Sequence, residues 1–316
     1  MLHVLNGDAT ATVFAAVGLP GDVLVWRDIL VEGPVTPEWP APDALTRRAT
    51  VLAARLSIAP DRYRDTVREQ EDGLAAALEH DEIVLWFEQD LFCAVNLWSV
   101  LAWLERHAVA SRLTLVYPST ETVKGLGVLG PAQMGTLFGE RQPVTPAALT
   151  LGRRAWDAYA SDDPRGVERL VDQDSGALPF VREALWCHRE RFPSVRTGLN
   201  EIEAAILATL DGAARGFGDL FGAVTGDPRV RPHGMGDLQL AAYVRALAPL
   251  VNLSSADVMT AEIALAPVAR EVTAGRRDWP GVRGLDVWLG GVHLHGDRPR
   301  WRWDGARRRL VEPAAG

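Results

Sequence analysis

In the stretch VLWFEQDLFC, residues 84–93, an apolar run meets Glu88-Gln89-Asp90 and then turns apolar again. Two carboxylates two residues apart share a face of an extended chain, so Glu88 and Asp90 converge beyond the end of the strand. Such a pair can pass a proton as general acid and base. It can also hold a hard divalent cation such as Mg²⁺ or Mn²⁺. A plainer reading has Asp90 capping the helix that begins at Leu91 while Glu88 is solvated. That reading accounts for Asp90 better than for Glu88.

Similar polar residues stand at the ends of other apolar runs. In LNGDATA a run ends at Asn6-Gly7, a helix starts near Asp8, and Thr10 falls in its first turn. Free N–H groups at a helix start suit an anion, often a phosphate. Asp8 as N-cap would fill the same donors without a ligand, and the turn is neither G-x-G-x-x-G nor a P-loop. In WRDILVEGP, Arg27, Asp28 and Glu32 interrupt or close a second apolar strand. An Asp there needs a partner, and Arg27 faces the opposite side. A structural Asp28 is the slightly favoured reading, and a catalytic Asp28 beside Glu88 and Asp90 is the sharper one. After a fourth run, PSTETVKG offers Ser119 and Lys124, the only lysine in the chain.

The candidate catalytic set is therefore Glu88, Asp90 and Asp28. The candidate metal set is Asp8, Glu88 and Asp90, with Mg²⁺ or Mn²⁺ as the ion. Asn6, Gly7, Asp8, Thr10, Arg27, Glu32, Ser119 and Lys124 are candidate ligand contacts. His293 and His295 share a face but lack a third ligand. Trp301-Arg302-Trp303 beside Arg307–Arg309 fits packing better than nucleic-acid contact.

These positions need a sheet to bring them together. LHVLN, DVLVWRDIL, EIVLWF and RLTLVYP read as strands alternating with helices, including a helical region over about 43–80 broken before Pro60. LFCAVNLWSVLAWLERHA reads as a long amphipathic helix. Near-continuous apolar strands in this order predict a Rossmann-like parallel sheet, helices on both faces, over residues 1–145. Ligands of such sheets sit outside the carboxyl ends of the strands. Residues 121–145 read as loops around one short helix, and 146–196 as a helical connecting region. From 197 to 316 three helices precede VWLGGVHL and RWRWDGARRRLV, which read as a hairpin across HGDRP. Helices followed by a hairpin is the order of a winged helix.

At 316 residues the chain exceeds what one core usually serves. Its 47% hydrophobic and 23% charged composition is that of a globular protein. Two cysteines argue against a disulfide framework, and MLHVLNGDATA lacks the basic region of a signal peptide. The expectation is a cytoplasmic protein. A net charge of −8 disfavours broad nucleic-acid binding, although nine arginines face five acids from Arg276 onward.

Together these segments resemble the bacterial family catalogued as domain of unknown function 1835. The matching stretches are HVLNGDATA, GDVLVWRDILVEGPV and VLWFEQDLFCAVNLWSVLAWL, then FPSVRTGLNEIEAAIL, GMGDLQLAAYVRALAPL and WLGGVHLHGDRPRWRWD. Members often carry His where this chain has Gln89, and Ser where it has Thr10. The resemblance implies an α/β domain followed by a helical, winged-helix-like part, and it brings no activity with it. The leading functional expectation is a nucleotide- or phosphate-ligand-binding enzyme assisted by a divalent metal. The alternatives are a ligand-sensing DNA-binding regulator and an interaction module. Against DNA, the would-be recognition helix GDLQLAAYVRALAPL carries Arg245 as its one cation.

Overall fold

A computed structural model describes residues 1–107, 112–118, 125–173 and 176–312. Its first strand, β1 (Leu2–Asn6), is buried at every residue, so both of its faces are covered. It leads into α1 (Asp8–Ala15), β2 (Asp22–Trp26), α2 (Pro42–Leu56), α3 (Pro60–Ala77) and the equally buried β3 (Glu82–Trp86). Helix α4 (Leu91–Arg106), β4 (Arg112–Val116), α5 (Pro131–Gly139) and the two-residue β5 (Gln142–Pro143) complete the sheet region. The strand order is β2-β1-β3-β4-β5. The first three pairings are parallel, and β5 joins β4 antiparallel. This edge strand escapes a sequence reading because it is very short and contains a proline, which only an edge accepts.

Alternation along the strands divides their side chains between two cores. Leu5, Val84, Trp86 and Val116 meet Phe14 of α1, Leu126 and Met134 of α5. Val4, Ile83, Leu85 and Leu115 face Leu74 of α3 and much of α4. The same second core takes in α6 (Pro146–Ala160), α7 (Arg165–Val171) and α8 (Val181–Glu190). The connecting helices thus share one core with the sheet. They also change the character of α4, which is buried from Leu91 to Leu104 at all positions but Phe92. An amphipathic helix was expected there, but α6 and α8 cover the side that would have faced water. At Gly152, α6 comes so close to α4 that a Cβ would lie 2.5 Å from a Leu101 methyl.

Beyond Pro193 a separate core forms. Its elements are α9 (Glu201–Thr209), β6 (Arg215–Gly216), α10 (Phe217–Gly226), α11 (Asp237–Ala246), β7 (Val251–Leu253) and β8 (Glu262–Leu265), with a 3₁₀ turn over Arg231–His233. The Asn200–Glu203 capping box starts α9 as expected. The strands form an antiparallel sheet in the order β6-β8-β7. Two short helices follow, α12 (Ala269–Thr273) and α13 (Trp279–Arg283).

The terminal hairpin is not the one expected. β9 (Leu285–Leu289) pairs with β10 (Val292–Gly296), and β11 (Arg302–Asp304) pairs with β12 (Arg309–Val311). Each of the two apolar stretches folds on itself, and HGDRP merely links them. Gly290-Gly291 makes a two-residue turn, with Gly290 at φ 64, and such a turn closes more locally than the HGDRP loop. Trp301, Trp303 and Leu310 pack with Phe192 and Leu294, which is the packing role anticipated for the tryptophans. His293 pairs with Asp286 at 2.7 Å on the surface. Among the described residues no helix is long and apolar enough to cross a membrane.

Candidate functional site

Strand order reverses between β1 and β3, because the chain leaves β1 toward β2 on one side and β3 toward β4 on the other. The carboxyl ends of these two strands therefore flank the crevice where open parallel sheets bind ligands. Leu5 pairs with Trp86 in register, so Asn6-Gly7 and Glu88 emerge at the same edge.

Glu88 is half-buried. Its Oε1 accepts the Leu126 N–H at 2.8 Å, and Gly125, at φ 114, lies so close that a Cβ there would meet Oε2 at 2.7 Å. Burial, and then the neighbouring Asp90 charge, push its carboxyl up to about 7 despite the Leu126 N–H. Asp90 is the N-cap of α4 and accepts the Cys93 N–H at 2.7 Å, so the capping reading holds for this residue. Burial still raises its pKa. Glu88, Asp90 and Cys93 each offer an atom, all within 4.8 Å of one another. Burial and the charges of Asp90 and Glu88 hold the Cys93 thiol well above its ordinary value. Behind it, Asn6 Nδ2 donates to Cys93 Sγ, and Asn96 Nδ2 donates to Asn6 Oδ1 and to the Asp28 carbonyl, both at 2.9 Å.

The start of α1 lies beside this group. Gly7 occupies the N-cap position at φ 87, and no side chain among the described residues caps the helix. Thr10 is buried and donates to the Asn6 carbonyl at 3.2 Å. Asp8 is exposed and pairs with Arg27 at 2.8 Å. Asp8 is thus neither a cap nor a member of the acidic cluster. The group that lies with Glu88 and Asp90, all three within 4.8 Å of one another, is Cys93. The turn Leu126–Val128 bridges the two halves: a Cβ on Gly127 would lie 2.7 Å from that of Ala9 on α1, while the Leu126 N–H reaches Glu88.

Asp28 and Glu32 belong elsewhere. Asp28 is 1% exposed and accepts from Arg48 at 3.2 Å, from the Tyr63 hydroxyl at 3.0 Å and from the Ile29 N–H at 2.8 Å. Arg48 is itself fully buried and also donates to the carbonyls of Glu32 and Ile29. Glu32 is held by Arg55 at 2.8 Å and Arg191 at 3.0 Å, with Gln239 at 3.4 Å. Burial raises its carboxyl, but the two guanidinium groups outweigh that and leave it below its ordinary value. Both acids are held by structural partners, which for Asp28 is the arrangement that its structural reading requires. Ser119 and Lys124 lie outside the described residues.

Of the residues that now define this edge, Cys93, Asn96 and Gly125 were not singled out by sequence. D-x-x-C across a helix start is a usable signal, since the residue three beyond an N-cap turns back toward it. Asn96 inside an otherwise apolar helix is another. Comparison of the chain with protein-family models and with curated proteins returned no match.

Proposed function

We propose that the protein is an enzyme acting on a phosphate-bearing small molecule, nucleotides included, at the carboxyl edge of its parallel sheet. The observation that carries this reading is the pairing, at the strand-order reversal, of an uncapped helix start with a Glu88 carboxyl held near neutrality. The helix start and Arg27 would take the anion. Glu88 would exchange a proton with the substrate, since a group with its pKa near the working pH serves best as acid and base. Glu88 and Asp90 also fit Mg²⁺ or Mn²⁺, which prefer carboxylate oxygens and water and would relieve the repulsion between the two acids. Such an ion would supply charge stabilisation at phosphate. The Cys93 thiol is a poor ligand for either ion and would stay protonated.

The C-terminal unit supports a winged-helix-like reading through its order of α9, β6, α10, α11, β7 and β8. Its third helix faces inward: Ala242 joins the first core, Gln239 reaches Glu32, and Arg245 donates to the Arg55 carbonyl. That placement favours an intramolecular docking role over DNA reading. Membership of the family that the sequence resembles is part of the same proposal.

A thermal-shift screen of nucleotides, sugar phosphates, Mg²⁺ and Mn²⁺, run on wild type and Glu88→Gln, tests the enzyme reading. A ligand that raises the melting temperature of wild type far more than that of the variant is the expected result. Equal shifts in both proteins, or none in either, would sink it.

A further inference from the structure

Cys187 and Glu190 stand three residues apart at the end of α8 and so share a face. His233 ends the 3₁₀ turn of the C-terminal unit, which packs on that helix. A sulfur, a carboxylate oxygen and a ring nitrogen from these residues all lie within 4.8 Å of one another. His233 is only 4% exposed, and neither of its ring nitrogens has a hydrogen-bond partner among the described residues. Folded proteins rarely leave a buried polar group in that state. His188 provides the contrast. Its Nδ1 is unpartnered too, but its ring is wedged between Tyr159 and Phe192, with centroids at 4.7 and 5.5 Å.

We propose that Cys187, Glu190 and His233 form a transition-metal site of the zinc class. A thiolate, an imidazole and a carboxylate are the donors that zinc accepts, whereas magnesium and calcium refuse the first. Bond lengths of about 2.0–2.3 Å around tetrahedral zinc space the ligand atoms about 3.3–3.8 Å apart, so the three groups close on an ion by side-chain adjustment. Trp186 Nε1 already donates to Glu190 Oε1 at 3.1 Å and would orient the carboxylate. Three protein ligands leave a fourth position open. On binding, the Cys187 thiol proton passes to solvent and the thiolate pair of electrons bonds the metal. The ion would fasten α8 to the turn that carries Gly234, where a Cβ would sit 2.4 Å from the Asp90 carboxyl carbon. The site therefore abuts the sheet-edge group but shares no residue with it, and it stands whether or not Glu88 proves catalytic.

The test is a titration of the metal-stripped full chain with Co²⁺, a coloured substitute for zinc, followed by displacement with Zn²⁺. One equivalent should bind, with a near-ultraviolet sulfur-to-cobalt absorption that Zn²⁺ abolishes. Removing a residue that only orients a metal ligand costs about 10–100-fold in affinity, so Cys187→Ser and His233→Gln should each lose more than about 100-fold. Glu88→Gln and Cys93→Ser should bind as wild type does. The chain has two cysteines, so Cys93→Ser assigns the thiolate even if Cys187→Ser fails to fold. Absence of the sulfur absorption in wild type overturns the proposal, and so does its disappearance in Cys93→Ser.

Discussion

Replacing Glu88 with glutamine should make the protein more stable, and only above a certain pH. The folded carboxyl titrates near 7 against 4.5 in the unfolded chain. Below pH 4.5 both states hold the proton and the group adds nothing. Between the two values the folded state binds more protons than the unfolded one, so stability falls as pH rises. Above 7 the full difference is lost: about 2.5 units at about 1.36 kcal/mol each, or about 3 kcal/mol. Glutamine never ionises, and its carbonyl oxygen can keep the Leu126 N–H. Urea unfolding of wild type and Glu88→Gln from pH 4 to pH 9 reads the effect directly. The two curves should coincide at the acid end and diverge to about 3 kcal/mol in favour of the variant by pH 8. Parallel curves across the range would refute the reasoning, because they would mean that Asp90 and burial do not hold the proton on Glu88. A residue kept at such expense where glutamine would be more stable is expected at a working site.

Asp90→Asn keeps a capping side chain but removes the repelling charge, so the Glu88 carboxyl should titrate lower, as carboxyl NMR would show; an unmoved titration would leave burial as the sole cause. Asp90→Ala should lose about 1 kcal/mol through the cap, measured by thermal or urea unfolding. Gly125→Ala puts a side chain at φ 114 and against the Glu88 carboxylate, and should lose more than about 1 kcal/mol. Arg48→Met strands the buried Asp28 and should lose about 3–5 kcal/mol, most of it recovered when Asp28→Leu is added; a mild loss would mean that Tyr63 and the Ile29 N–H suffice. Duplex DNA should show no salt-sensitive binding in a gel-shift titration, because α11 is docked on the first unit.

The parts of this fold that were legible in sequence were those fixed by local rules. β1 and β3 are near-continuous apolar runs because both of their faces are covered, and the break before Pro60 follows from ring geometry. Asp90 sits where an N-cap should sit. What escaped depended on long-range partners. Asp28 finds Arg48 and Tyr63 at separations of 20 and 35 residues, on α2 and α3, and nothing in WRDILVEGP announces them. Asp8 turned outward to Arg27 because Gly7, not Asp8, took the cap position. Cys93 entered the acidic group because the orientation of α4 is set by packing on all sides. The hairpin is a different case: two turn signals stand close together in the sequence, and the two-residue Gly290-Gly291 turn closes a pairing more locally than HGDRP does.

Glu32 shows how an acid can serve a site without belonging to it. Its three partners come from α2, from the residue just beyond α8, and from α11. Arg191 directly follows Glu190, and Gln239 lies six residues past His233 on the other unit. A buried ionic node of this kind is weak evidence for stability, since apolar residues of equal volume often do as well. It is more useful in fixing geometry, because a charge without its partner is far costlier than a misplaced methyl group. The elements tied to Glu32 are those that bring Cys187, Glu190 and His233 together, and through Gly234 they press on Asp90. A shift of α11 relative to α8 would therefore cost the Gln239 hydrogen bond to Glu32, while a shift of α2 relative to α8 would break an ion pair. The placement of the two chemical groups across this interface thus depends on an acid that the sequence offered as a ligand and the fold uses as a clamp.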